Sequence, residues 1–153
     1  MYAISMVADE EGFRYPEIDA AKCMNCGKCR KVCPASEMPQ RSESPVRTFG
    51  GYVTDDKVRE GSASGGLFSA LADAWCDADT IVFGAETVGL DVRHSWVRYG
   101  DGIDKFRKSK YLQSEIGDSY RDAKQFLFEG KRVLFSGTPC QIAGLKKLLG
   151  DKQ

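Results

Sequence analysis

The sequence predicts an α/β protein, α+β overall, in which a small cysteine-rich module precedes an α/β domain with a mostly parallel sheet. Three observations carry this prediction. Four of the six cysteines lie within eleven residues (CMNCGKCRKVC). A polar segment rich in Ser and Pro follows, and beyond it short apolar runs alternate with helical patterns. The expected units are a module at 1–38, a linker at 39–47 and an α/β domain at 48–153.

The N-terminal region predicts a β-hairpin. Its strands are expected over Ala3–Val7 and Phe13–Ile18, joined by an acidic turn over Asp9–Gly12. The cysteine run comes next and ends at Pro34. The stretch ASEMPQRSESP after the last cysteine and its proline has the composition of a linker.

Helices and strands are expected to alternate after the linker. The glycine–serine loop at 61–66 (GSASGG) leads into a helix with Leu67, Leu71 and Trp75 on one face. Tyr120, Ala123 and Leu127 share the face of a second helix that ends near Gly130. Ile142, Leu145 and Leu149 line a last helix. The strands are expected over Thr80–Ala85, which is the most apolar, Val92–Tyr99 and Arg132–Ser136.

Composition narrows the function classes. Lys plus Arg number 22 and Asp plus Glu 22, so the chain has no overall basic field for nucleic acid or a membrane surface. No apolar run has the length of a membrane span, and the N-terminus lacks the pattern of a signal peptide. The sequence therefore favours a cytoplasmic protein with reduced cysteines.

The cysteine run predicts a ferredoxin-like iron–sulfur module with a [4Fe–4S] cluster. Cys23, Cys26, Cys29 and Cys33 have the C-x2-C-x2-C-x3-C-P spacing of bacterial ferredoxins. Gly27 permits a close approach of the backbone, and the neighbouring basic side chains can offset the charge of thiolates and sulfides. A zinc site is the alternative, although zinc ligands usually come in two separated pairs.

The fourth cysteine leaves a question open. In two-cluster ferredoxins, the last cysteine of each run ligates the other cluster. Cys33 therefore has no cluster partner in this chain, or Cys76 or Cys140 completes the ligand set, or a second cysteine run lies upstream.

Two further segments have candidate chemistry. In GTPCQ, Thr138 is expected to be the N-cap, Pro139 the first helical residue and Gln141 the partner in a capping box. This places Cys140 in the first turn, as a thiolate, a ligand or a cofactor neighbour, or else as a small core residue. In the glycine–serine loop, Ser62 and Ser64 can cradle a phosphate, but a plain capped turn also explains them.

Other conspicuous residues have simpler explanations. His94, the only histidine, is interpreted as a strand residue without a catalytic role. Lys108 and Lys110 either contact phosphate or belong to a solvated turn. The remaining aromatic residues in question are expected in the core: Trp75, Phe126 and Phe128.

Taken together, the motifs resemble the coenzyme F420 hydrogenase/dehydrogenase beta-subunit family. The matching segments are SASGGLFSAL at 62–71, IVFGA at 81–85, SKYLQSEIGDSY at 109–120 and VLFSGTPCQIAGLK at 133–146. The resemblance implies a flavin- and iron–sulfur-dependent oxidoreductase. It implies FAD, with F420 as a substrate in only some members, and a redox partner protein or small-molecule substrate.

The resemblance also implies site residues. FAD is expected near the SASGG loop, the Ser109–Tyr111 segment and the GTPCQ turn. Cys140 is then expected to face the flavin or a cluster as the candidate catalytic residue. The implied cofactor-binding residues are Ser62, Ser64, Gly65, Gly66, Ser109, Lys110, Tyr111, Gly137, Thr138 and Gln141.

Relatives of this layout carry a first cysteine run upstream and continue past GTPCQIAGLK, so the sequence is expected to be an internal part of a longer protein. Two other functions stay open. One is a ferredoxin-like electron carrier with a docking domain, and the other is an incomplete fragment with a structural metal site.

Overall fold

The computed structural model describes residues 3–36 and 47–150, so most of the predicted linker at 39–47 lies outside the described residues. The strands are β1 (Ile4–Ala8), β2 (Arg14–Ile18), β3 (Ile81–Val88), β4 (Asp91–Arg98) and β5 (Val133–Phe135). The α-helices are α1 (Lys28–Val32), α2 (Asp56–Glu60), α3 (Leu67–Trp75), α4 (Ser119–Phe128) and α5 (Pro139–Leu149). Short 3-10 helices occupy Pro34–Ser36, Tyr99–Asp101 and Asp104–Phe106.

The predicted hairpin is confirmed. Strands β1 and β2 pair in antiparallel register from Ile4 opposite Ile18 to Ala8 opposite Arg14. The Asp9 carboxylate accepts hydrogen bonds from the backbone N–H groups of Glu11 and Phe13, at 3.0 and 2.8 Å, which closes the turn. Every residue of both strands is exposed, so this hairpin has no buried face within the described chain.

The α/β class is also confirmed, with an open, partly parallel sheet in the order β4-β3-β5. Strand β3 pairs with β4 in antiparallel fashion and with β5 in parallel fashion. Because β3 is central, its first four residues (IVFG) are fully covered, which explains their continuous apolar character. The carboxyl ends of β3 and β5 lie at the same edge of the sheet, since the two strands are parallel.

Helices cover both faces of this sheet. Successive side chains of a strand point to opposite faces. Accordingly, Val82 joins a core cluster with Ala72 of α3, whereas Phe83 joins a second cluster with Ala123 of α4 and Leu145 of α5. Phe126 packs against the second cluster, as expected.

Two expectations about burial are wrong. Trp75 and Phe128 are 43% and 88% exposed, so neither is a core residue. The apolar face of α3 with Leu67 and Leu71 also points outward, because the helix packs through the small side chains of Ser69 and Ala72. The Arg132 guanidinium lies 4.3 Å from the ring centre of Trp75 and covers part of it.

The cysteine module contacts the α/β part through α1 and α5. The Lys147 ammonium on α5 donates a hydrogen bond of 3.1 Å to the carbonyl of Cys33. An ion pair between Arg14 of the hairpin and Glu115 makes a second link. The module is therefore held at the C-terminal part of α5.

Candidate functional site

The cysteine run forms a tightly turned loop that leads into α1. Asn25 and Gly27 both adopt positive φ, 51° and 70°, so the backbone enters the left-handed region twice between Cys23 and Cys29. Asn and Gly are the residues that enter this region at the lowest cost. Gly27 is also the N-cap of α1, and the Cys33 N–H closes the helix on the carbonyl of Cys29 at 3.1 Å.

The thiols of this loop are accessible. Cys26 and Cys29 are exposed, Cys23 and Cys33 are half-buried, and all are free. The N–H of Ala35 donates to Cys33 and is the main cause that lowers the pKa of its thiol. Within residues 3–36 and 47–150, no three His, Cys, Asp or Glu side chains converge as a formed metal site does. The donor set is nevertheless that of an iron–sulfur site, because such clusters are held by cysteine thiolates in this spacing, with Cys33 on this cluster or on a neighbouring one.

A second feature is a cleft of about 280 Å³ at the N-terminus of α3. It is lined by the glycine–serine loop and by the segment from Phe106 to Ser109. Gly65 and Gly66 allow the loop to pack tightly. A Cβ on Gly65 would lie 2.6 Å from the carbonyl of Gly51, and one on Gly66, which has φ 76°, would lie 2.6 Å from Val53.

The cleft collects hydrogen-bond donors that lack acceptors. Ser69 Oγ is fully buried and Arg107 Nε is a buried atom, and neither has a hydrogen-bond partner among the described residues. No side chain caps the first-turn N–H groups of α3. Lys108 lines the same cleft in a left-handed conformation, with φ 68°. The lining therefore combines backbone N–H donors with the side chains of Lys108 and of Arg107, which also pairs with Asp104 at 2.9 Å, and such a set is typical of an anion site.

Only part of the predicted flavin set lines this cleft. Ser62, Ser64, Gly65, Gly66 and Ser109 do so. Ser62 also donates its hydroxyl hydrogen to the carbonyl of Val58 at 2.7 Å, which holds the loop.

Lys110 and Tyr111 lie beside the cleft rather than in it. The Lys110 ammonium donates to the carbonyls of Arg107 and Lys105, at 2.6 and 3.1 Å, and so braces the adjoining turn. Burial lowers its pKa. Tyr111 is 94% exposed.

The GTPCQ turn follows β5 and has the predicted capping box. Thr138 is the N-cap, Pro139 opens α5, and the Thr138 N–H donates to Gln141 Oε1 at 2.8 Å. Cys140 is exposed, with its Sγ 3.1 Å from Thr138 Oγ1, so it is not a core residue. Gly137, Thr138 and Gln141 lie at the carboxyl edge of the sheet but do not line the cleft at α3.

A partly buried hydrogen-bond chain supports this turn. His94 Nε2 lies 3.0 Å from the carbonyl of Ser136, so this nitrogen must carry the proton. His94 Nδ1 then accepts from the Ser114 hydroxyl at 2.9 Å, and Ser114 accepts from Gln141 Nε2 at 3.0 Å. Burial lowers the pKa of His94, which also stacks on Phe135.

Sequence reasoning missed several of these residues. Ser69, Arg107 and Ser114 were not singled out, and His94 was interpreted only as a strand residue. The alternation of β4 was the one available signal, because it places His94 on the buried side with Val92. Cys76 packs against the first core cluster and burial raises its pKa, so the structure presents it as a core thiol.

Comparison with known proteins adds one assignment. A family described as a 4Fe-4S binding domain matches residues 14–35, a segment that contains all four clustered cysteines. No curated protein and no solved structure matches the chain. No helix in the described ranges is long and apolar enough to cross a membrane. The chain therefore carries an iron–sulfur binding module, which indicates electron transfer.

Proposed function

We propose that this protein relays electrons between a [4Fe–4S] cluster and FAD as part of a flavin oxidoreductase. The proposal includes membership of the coenzyme F420 hydrogenase/dehydrogenase beta-subunit family, whose motifs the sequence resembles, and a reducing, cytoplasmic setting. F420 itself is not part of it, because only some members use that substrate.

The cleft at α3 is the observation that supports a flavin most directly. Ser69 Oγ and Arg107 Nε are buried donors without acceptors, and an unpartnered buried polar atom costs about 1–3 kcal/mol. A phosphate oxygen in the cleft would satisfy them. The uncapped N-terminus of α3 and Lys108 would add electrostatic attraction for a negative group. The diphosphate of FAD is a group that can accept these hydrogen bonds and is attracted by this positive charge.

Each part of the chain has a defined role in this proposal. Cys23, Cys26 and Cys29 hold the cluster, and Cys33 ligates it or a neighbouring one. When bound, the cluster supplies one-electron transfer and the flavin exchanges one or two electrons. Gln141 and His94 hold the GTPCQ turn in one conformation, which keeps Cys140 at the carboxyl edge of the sheet.

A simpler electron carrier is the second candidate function. The family match covers residues 14–35 alone, which is the observation that favours it. In that case the α/β part serves only to dock a partner, and a redox partner protein takes the place of a small-molecule substrate.

Anaerobic reconstitution with iron, sulfide and FAD separates these functions. We expect about four irons per chain and bound flavin. Iron without flavin would support the electron carrier. Zinc, or no metal after reconstitution, would contradict both and leave a structural site.

The variant Ser69→Ala tests the cleft. We expect flavin to bind about tenfold more weakly, because one hydrogen bond to phosphate is lost, while the iron content stays the same. The ligand-free chain should be as stable as the wild type or more so, since an unpartnered hydroxyl is removed. Ser136→Ala is the matched control for stability. Its hydroxyl donates to the Phe83 carbonyl at 3.0 Å, so its loss should cost about 1 kcal/mol. Unchanged flavin affinity in Ser69→Ala would contradict the proposed site.

A further inference from the structure

A second cleft lies where the cysteine module meets α5. This basic cleft has a volume of about 410 Å³, and its lining residues are Gly27, Arg30, Lys31, Ser36 and Lys147. None of them is acidic. The lining combines two cations of α1 with a lysine more than a hundred positions away, so the fold, and not only the local sequence, builds this concentration of positive charge.

The positive charges of Arg30 and Lys31 are not neutralised by an ion pair within the described part of the chain. Arg30 and Lys31 are exposed, and neither forms an ion pair with a described residue. Arg30 differs in this from the other arginines that the structure describes: seven pair with carboxylates, and Arg47 lies over the ring of Phe49. Among the described residues, the lining of this cleft therefore carries positive side chains and no carboxylate.

The cleft directly adjoins the cysteine run. The Lys147 ammonium contacts the carbonyl of Cys33, and Gly27 lies between Cys26 and Cys29 in the loop. A molecule seated in the cleft therefore lies beside the cluster ligands. Two of these thiols, Cys26 and Cys29, are exposed at the surface of the same module.

We propose that the basic cleft is the docking surface for an acidic patch on a redox partner protein. The proposal rests on the electron-transfer function and names the chemistry of the partner. Long exposed cations attract a negative surface over distance and raise the rate of encounter more than the final affinity. Weak electron-transfer complexes use small interfaces of this kind.

A protein surface fits the cleft better than a small anion does. The cleft at α3 has buried donors without partners, which is the mark of a site for a small ligand. The basic cleft has no such atom among the described residues, and its Arg30 and Lys31 side chains extend into solvent. Exposed cations of this kind bind a partner by salt-sensitive attraction and not by enclosed hydrogen bonds.

The binding test uses a fluorescein-labelled glutamate decapeptide as the probe and the whole chain, purified anaerobically, as the receptor. We expect saturable binding, measured by anisotropy at low ionic strength, that is lost at about 1 M salt, where the screening length falls to about 3 Å. The double variant Arg30→Glu and Lys31→Glu should bind the probe at least about tenfold more weakly.

The control carries the same charge change elsewhere. Lys124→Glu with Lys131→Glu alters two exposed lysines that form no ion pair with described residues. This variant should keep most of the binding. Equal losses in the two variants would overturn the proposal, because they would show a response to net charge alone. Displacement of the probe by pyrophosphate at far lower concentration than by unlabelled peptide would also overturn it in favour of a small-anion site. Iron and flavin contents of the wild type are measured separately, so a failure of the proposed function is recognised independently.

Discussion

At the scale of single residues, His94 shows how a buried polar side chain fixes a protonation state. Its two ring nitrogens face a carbonyl acceptor and a hydroxyl, and no acidic side chain hydrogen-bonds to it among the described residues. The neutral ring therefore suits this environment, and burial lowers the pKa below the ordinary value of 6.5.

We predict that His94 makes stability depend on pH. Because the folded pKa is lowered, the unfolded chain binds more protons between the folded value and 6.5. The contribution is complete above 6.5 and is lost as the pH falls from 6.5 through the folded pKa. Denaturant unfolding of the wild type and of His94→Asn over this range measures it. Since His94 is the only histidine, equal pH slopes in the two proteins would refute the prediction.

At the scale of elements, the start of α3 depends on glycine for two separate reasons. Gly66 has a positive φ of 76°, and a Cβ there would meet Val53 at 2.6 Å. Gly89, in the turn between β3 and β4, shares the first property with φ 63° but has no atom within 4 Å of an added Cβ. Substitutions at Gly66 and Gly89 therefore separate the cost of a positive φ from the cost of a steric contact with Val53.

We predict that Gly66→Ala is more destabilising than Gly89→Ala. A residue with a side chain at positive φ costs about 1–2 kcal/mol, so Gly89→Ala should lose about that amount. Gly66→Ala should lose about 1–3 kcal/mol more, because Val53 must also move. Chemical denaturation gives both values, and similar losses would show that Val53 yields without cost.

The elements also show what the sequence could predict. The cap of α5 is local chemistry within four residues, so Thr138, Pro139 and Gln141 were placed correctly. The central strand β3 was recognisable from its apolar run. The outward orientation of Leu67 and Leu71 on α3 was not recognisable, because their helical spacing is the same whether their face of the helix is buried or exposed. Ser69 and Arg107 line one cleft and Gln141 hydrogen-bonds to Ser114, and both arrangements join distant segments and depend on tertiary structure alone.

At the scale of the whole molecule, the cysteine module and the α/β part meet through few contacts, and Cys33 lies at that boundary. Its surroundings differ from those of Cys26, because Cys33 is half-buried whereas Cys26 is exposed. The two cysteines therefore test whether the run serves one cluster or two.

We predict that Cys26→Ser lowers the iron content after reconstitution, because a thiolate ligand is lost. If Cys33 ligates a second cluster, as the last cysteine of the run does in two-cluster ferredoxins, we expect Cys33→Ser to leave the iron content unchanged. Colorimetric iron and sulfide per chain are the measurements. An equal loss in Cys33→Ser would place all four cysteines on one cluster.

Helix α5 touches the cysteine module near Lys147 and carries the GTPCQ turn at its other end. Its eleven residues span about 16 Å as one continuous rod. The helix therefore joins the cysteine module to the GTPCQ turn without a hinge between them. Cys140 and Lys147, seven residues apart on this unbroken helix, therefore keep a separation of about 10 Å along its axis.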